Sequence, residues 1–264
     1  MKNKTKFISS SLFIFSCLLV HAQNSDETTQ IESTSFFNKN IDYQIKGQFS
    51  IGGASPMGIP AQIRKIESFK PAQFLGAEIN ATKWFNDKKQ FGIRIGAKFE
   101  GRGMKTQAQV KNYYTQIEDD SGAQTKGYFT GHVVTKMRNS YITMPVSFVW
   151  NATNHWNFYG GFYLSWITHR SFSGHIYDGT FREGTPIGEP TIFEGTAKGI
   201  YDFSDDLRTF QWGNQLGAEY KLNQHVSFSL DVSMANSQIF RKDFESISFR
   251  MYNVFGNIGV GYTF

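Results

Sequence analysis

Cysteine is almost absent from this chain: one residue, Cys17, in 264. It falls inside the leader described below, so the expected mature chain carries no thiol, which excludes a disulfide framework, thiol catalysis and thiolate metal sites. Proline is scarce at six residues, leaving long stretches free to pair as strands. No stretch beyond the first 22 residues approaches the ~18 consecutive apolar positions of a membrane-spanning helix. An excess of one charge is lacking too. The formal net charge of +5 includes Lys2, Lys4 and Lys6, and without them 24 of the 27 basic residues remain against 22 acidic ones. No basic stripe is left to point to nucleic acid.

The three lysines, the apolar run Leu12–Val20 and the small-residue end Val20-His21-Ala22 read as a secretory leader over residues 1–22. A lipoprotein reading at Cys17 fits less well, because the apolar run continues past it. Residues 23–42 are polar and without period, and read as a periplasmic N-terminal tail ahead of a single domain over 43–264. That domain is rich in rings: 26 Phe, 12 Tyr and 5 Trp in the whole chain.

Its dominant signal has period two, which marks strands rather than helices. Val226, Phe228, Leu230, Val232 and Met234 alternate with Ser227, Ser229, Asp231 and Ser233. Similar segments lie at Tyr43–Ile51, Leu75–Thr82, Phe91–Glu100, Tyr141–Trp150, Trp156–Trp166 and Phe210–Tyr220. The last runs to Phe264, with Phe255 the single large residue on its small or polar face. Each is about the ~9–11 residues a tilted strand needs to cross a membrane. Short polar connections at 86–89, 151–155 and 223–225 alternate with long ones at roughly 53–72, 102–130, 169–206 and 236–247. The pattern predicts an all-β, eight-stranded antiparallel transmembrane β-barrel in the outer membrane of a Gram-negative cell, with both termini periplasmic. Tyr43, Trp84, Phe85, Phe91, Trp150, Trp156, Phe158, Tyr220, Tyr262 and Phe264 cluster at the short-turn end and read as an interfacial girdle. Ile258, Val260, Tyr262 and Phe264 form the C-terminal signal expected to engage the barrel-assembly machinery during insertion. The alternative, a soluble lipocalin-like barrel, would turn the apolar face inward.

With the apolar face toward lipid, the other face fills the lumen. It carries Lys46, Arg94, Lys98 and Lys221 against Glu78, Glu100, Glu219 and Asp231. A barrel of eight strands is just wide enough for side chains to fill, and charges so buried need partners. A paired polar network closing the lumen is expected, with no open pore.

The segment SYITMPVSFVW at 140–150 resembles the Tyr-x-x-x-Pro strand of the PorT-like outer-membrane β-barrel family of Bacteroidetes. NFYGGFYLSW at 157–166, QLGAEY at 215–220 and GNIGVGYTF at 256–264 resemble other strands of that family, so the similarity spans nearly the whole mature chain. The resemblance implies an integral outer-membrane barrel, ties some members to secretion across that membrane, and carries over no catalytic residues.

Other constellations are weaker. His132, His169 and His175 match no metal-ligand spacing, so no metal and no cofactor is expected. Ser165, His169 and Ser171, with Asp178 or Glu183 nearby, could supply a lipid-modifying site, but no Gly-x-Ser-x-Gly marks an activated serine. The stretch 170–205 holds six acidic residues against three basic ones and reads as a solvated loop. Residues 107–117 and 127–139 continue their strands into a hairpin above the membrane. The expected protein is a non-enzymatic binding, scaffolding or secretion-associated envelope component. It would contact outer-membrane lipid, lipopolysaccharide and a secretion or envelope protein partner, and no nucleic acid. A small passive channel is the second reading and a lipid-modifying enzyme the third.

Overall fold

A computed structural model describes residues 39–72, 74–118 and 124–264. The leader, most of the polar tail and the turn at 119–123 lie outside the described residues. Among the described residues, the compact unit Asn40–Phe264 contains twelve strands. They are β1 (Ile41–Pro56), β2 (Ile63–Ala72), β3 (Phe74–Trp84), β4 (Phe91–Glu118), β5 (Gln124–Asn151) and β6 (Trp156–His169), followed by β7 (Phe172–Glu183), β8 (Pro190–Phe193), β9 (Gly199–Asp202), β10 (Phe210–Lys221), β11 (Val226–Ala235) and β12 (Met251–Thr263).

All twelve belong to one sheet, with the antiparallel neighbours expected of short connections. Pairing runs β1–β3–β4–β5–β6–β10–β11–β12 and returns to β1 through a register that starts at Gln44↔Thr263. The sheet therefore closes on itself. β2 lies on β4, β7 on β5, β8 on β7, and β9 on β7 with one pairing to β4. The expected eight-stranded barrel is thus corrected: the fold is a twelve-stranded sheet, and two of the presumed long loops are strand-rich.

The reason the sequence hides these strands is physical. β2 carries its apolar residues at Ile63, Ile66 and Phe69, three apart, because register shifts at Ile63/Lys65 and Ile66/Ser68 break the alternation. In β7 the inward position between Phe172 and Ile176 is Gly174, where a Cβ would strike the ring of Tyr201. β8 and β9 have four residues each, too few to show a period. The extensions of β4 and β5, by contrast, follow the expected path, and each strand is 28 residues long.

Burial alternates with the same period as the sequence but inverted from a soluble protein. In β1, Gln44, Lys46, Gln48 and Ser50 are buried while Tyr43, Ile45, Phe49 and Ile51 are exposed. The same holds around the ring, from Ile93, Ile95 and Phe99 to Leu230, Val232 and Val260. A continuous apolar exterior of this size has no place in water, and it excludes the lipocalin-like reading.

At the end of the sheet that carries the C-terminus, exposed rings form a belt. Trp150 packs on Phe158 at 5.9 Å, Trp156 on Tyr220 at 5.0 Å and Tyr262 on Phe264 at 5.3 Å between centroids. Trp84 is not part of it. It turns inward, is 3 % exposed, and donates its indole N–H to Asp42 at 2.7 Å. At the opposite end the upper parts of β4 and β5, together with β7, β9 and residues 239–251, enclose an apolar core that includes Phe129, Met137, Phe172, Ile176, Leu207 and Phe240.

Candidate functional site

The lumen holds the densest cluster of charge. In the register of the wall, Lys46 stands opposite Glu78 and Glu78 opposite Lys98. Lys46 Nζ lies 2.9 Å from Glu78 Oε2. Two residues further along β4, Glu100 receives Lys98 Nζ at 3.0 Å and Arg102 Nη2 at 2.7 Å, and Thr143 donates to it at 2.8 Å. Arg94 reaches from β4 across to β10, with Nη2 2.9 Å from Glu219 Oε2. Gln44 and Ser227 donate to the other oxygen of Glu219, at 2.5 and 2.6 Å. All of these groups are buried.

Two of the expected network members are placed differently. Asp231 forms no ion pair among the described residues. It accepts from Tyr159 Oη at 3.0 Å and from Asn257 Nδ2 at 2.6 Å. Lys221 sits at the C-terminal end of the ring, beside an open cavity of about 560 Å3 also lined by Asp42, Lys89, Arg94, Glu219 and Ser227. That cavity extends inward as far as the Arg94–Glu219 pair.

The sequence reading missed Arg102, which lay beyond the presumed end of its strand. Continuing the parity of Arg94, Lys98 and Glu100 by one step would have found it. Its guanidinium lies 4.9 Å from the ring centre of Tyr141, 5.3 Å from Tyr163 and 5.6 Å from Phe255. These rings cover the nitrogens that have no hydrogen-bond partner among the described residues, Nε and Nη1. The apolar intruder Phe255 therefore marks the level where the polar lumen gives way to the apolar core. The inward glycines have a function here: a Cβ on Gly217 would lie 2.6 Å from the Tyr159 ring, and one on Gly213 2.6 Å from Tyr163 Oη.

Above Arg102 the passage is filled by packed rings. Phe172 meets Phe240 edge-on at 4.9 Å, Phe240 stacks on Phe244 at 4.1 Å, and Tyr201 on Phe203 at 5.0 Å. Burial holds the Tyr201 hydroxyl well above the usual tyrosine pKa, and it accepts or donates at 2.8 Å with Thr135.

The weaker candidates disperse. Ser165 points into the lumen and bonds Thr143 at 2.7 Å, while His169 is exposed, so the two do not form a nucleophile–base pair. His132 bonds Glu67 at 3.1 Å. No group of three His, Cys, Asp or Glu with metal-binding geometry occurs among the described residues. Ile258, Val260, Tyr262 and Phe264 all face outward.

An apolar exterior, an aromatic belt and a polar, charge-paired interior together define a β-barrel of the outer membrane. Residues 21–241 match the family described as outer membrane protein beta-barrel domain, and the chain belongs to that family. No curated protein matches it. Among solved structures it is similar to neisserial surface protein A (12 % identity, 84 % of this chain and 97 % of that one, TM-score 0.34). It is also similar to Ail, the attachment invasion locus protein of Yersinia pestis (11 %, 84 % and 98 %, 0.32), and to the outer membrane protease OmpT from Escherichia coli (10 %, 86 % and 97 %, 0.35). Likeness this distant assigns no activity.

Proposed function

We propose that this protein is a closed-lumen outer-membrane barrel of the PorT-like type from a Bacteroidetes envelope. Its termini lie in the periplasm, and it works through its β-structured outer half as a binding or scaffolding element for a secretion or envelope protein. It performs no catalysis and passes no solute. The observation that supports this reading is the double closure of the interior: an ion-paired tier from Arg94–Glu219 to Glu100–Arg102, and an apolar core above it. A channel reading would need a continuous wet path, and each tier interrupts one. The outward residues Ile258, Val260, Tyr262 and Phe264 are the signal for the barrel-assembly machinery.

The test has two arms. In planar bilayers the purified protein is expected to give no steady conductance, and large stable single-channel steps would overturn the closed-lumen reading. In intact outer membranes, mild crosslinking is expected to retain a reproducible protein partner bound to the outer half. Recovery of the barrel with lipid alone would overturn the scaffold.

A further inference from the structure

β1 and β2 are consecutive strands joined by residues 57–62, yet among the described residues no pairing connects them. β1 pairs with β3 only as far as Ser50↔Phe74. Its last six residues, Ile51–Pro56, pair with β12 on one side and, among the described residues, with no strand on the other. Among the described residues β2 pairs only with β4. The wall therefore has a seam above Ser50, bounded by two strand edges of the kind folded proteins normally cover.

Behind the seam lies an apolar cavity of about 310 Å3, within the lower range of pockets that take small ligands. Gly53, Ile66 and Phe69 stand at the seam, and Met104, Ala108 and Met251 lie deeper. A Cβ on Gly53 would come within 2.7 Å of Met104 Sδ and 3.1 Å of the Phe69 ring, so only glycine leaves this entrance free. Tyr43 marks the lower interface, and Gly53 is ten residues further along β1. At ~3.3 Å per residue and a tilt of about 40°, that is roughly the ~25 Å height of the apolar band of such barrels. The entrance therefore opens at the outer edge of the hydrocarbon layer, next to the exposed Phe49, Ile51 and Ile59.

A second observation lies on the outer surface at the same level. Lys70, the neighbour of Phe69, stands in register with Lys105, and Lys105 with Lys136. Arg138 follows Lys136 by two residues on the same face and opposes Gly103. All four cations are exposed, and none forms an ion pair among the described residues. The row continues through Ser173 to Asp202, whose carboxylate accepts from Ser204. The other nearby carboxylate, Glu67, is engaged with His132. Like charges directly opposite on three strands repel one another, which stores attraction for an anion. His175, one turn of the pleat away, senses the same field: burial first, then Lys198, Lys136 and Lys105, hold its pKa below the usual histidine value.

We propose that the seam and the lysine row form one binding site for an anionic amphiphile of the outer leaflet. A phosphate head group lies on Lys70, Lys105 and Lys136, and one acyl chain passes between β1 and β2 into the cavity. The site stands apart from the scaffold reading and is tested without it.

The full chain is reconstituted in phosphatidylcholine nanodiscs and exposed to dodecyl phosphate carrying a diazirine on its chain, and crosslinks are mapped by mass spectrometry. Labels on Phe69, Met104 and Met251 are expected to exceed those on the lipid-facing Leu230. Unlabelled dodecyl phosphate is expected to displace them, and dodecanol or inorganic phosphate is not. Lys105→Ala and Lys136→Ala should each weaken labelling about fivefold. Ala108→Phe, which fills the cavity, should abolish it. Heat-modifiable migration verifies folding of each variant, and Gly53→Leu replaces Ala108→Phe if that variant does not fold. Binding should also raise the His175 pKa as the phosphate neutralises its lysine neighbours, read from the imidazole nitrogen resonances. Labelling of Leu230 as strong as that of the cavity, equal competition by dodecanol or inorganic phosphate, or insensitivity to the lysine changes would each overturn the proposal.

Discussion

The side chain that carries most weight is Glu100. It is wholly buried, and its two oxygens pair with Lys98 and Arg102. Removing one partner from a buried ion pair costs about 3–5 kcal/mol, because the remaining charge stays out of water. Glu100→Ala is therefore expected to lower the temperature at which the folded form converts to the slow-migrating one on gels, whereas Glu189→Ala, on the exposed stretch before β8, is expected to leave it unchanged. Equal behaviour of the two variants would show that the lumen charges are solvated. His175 gives a second prediction. Its pKa lies below 6.5 in the fold, so the unfolded chain binds the proton more readily. The stability that this group contributes is present above pH 6.5 and is lost as the pH falls through the lower, folded value. Protease resistance of the outer half should decline in that window, and His175→Gln should flatten the decline. At this scale the sequence was legible wherever parity could be followed. Lys46, Glu78, Arg94, Lys98, Glu100 and Glu219 are buried as their alternation implied. Arg102 escaped because parity was not extended past a presumed strand end, and Trp84 escaped because its ring is apolar enough for a belt but its N–H found a carboxylate.

Elements differ in how openly they announce themselves. A strand between lipid and a polar lumen shows contrasting faces, and β11 is the clearest case. The strands of the outer half face packed rings on one side and water on the other, with bulges and glycines that spoil the count, so β2 and β7 to β9 read as loop. The segment between β11 and β12 has little regular structure, yet Ile239 and Phe240 are buried, and Phe240 packs against Phe172 and Phe244. Truncating such a ring costs about 3–5 kcal/mol. Phe240→Ala is expected to open this segment to trypsin at Arg241 and Lys242 while heat-modifiable migration persists. Loss of both together would show that the apolar core and the membrane ring unfold as one unit.

For the whole molecule, orientation is the exposed question. Cysteines introduced at Ile187, near the tip of the outer half, should react with an impermeant maleimide on intact cells. Cysteines at Asn154 or Gln224, in the short turns at the other end, should react only after the outer membrane is breached. The reverse pattern would place the apolar core and the lysine row in the periplasm. Closure, lipid-facing exterior and polar interior were all readable from period two. The number of strands was not, because strand count in the outer half depends on hydrogen bonding along edges, which leaves no hydrophobic trace.

The seam of β1 with β12 also sets the order in which this fold can come into being. Gln44 meets Thr263, and Pro56 meets Met251, so the final closure joins the first strand to the last residues of the chain. Contacts between chain ends so far apart are the slowest to form, and nothing nearer can substitute for them. Until β12 arrives, the edge of β1 is open on one side. A chain shortened by this last strand would keep every charged residue of the lumen and its outer half. It would also present the free edges of β1 and β11 to any similar edge nearby, and so trade a sealed cylinder for a template of aggregation.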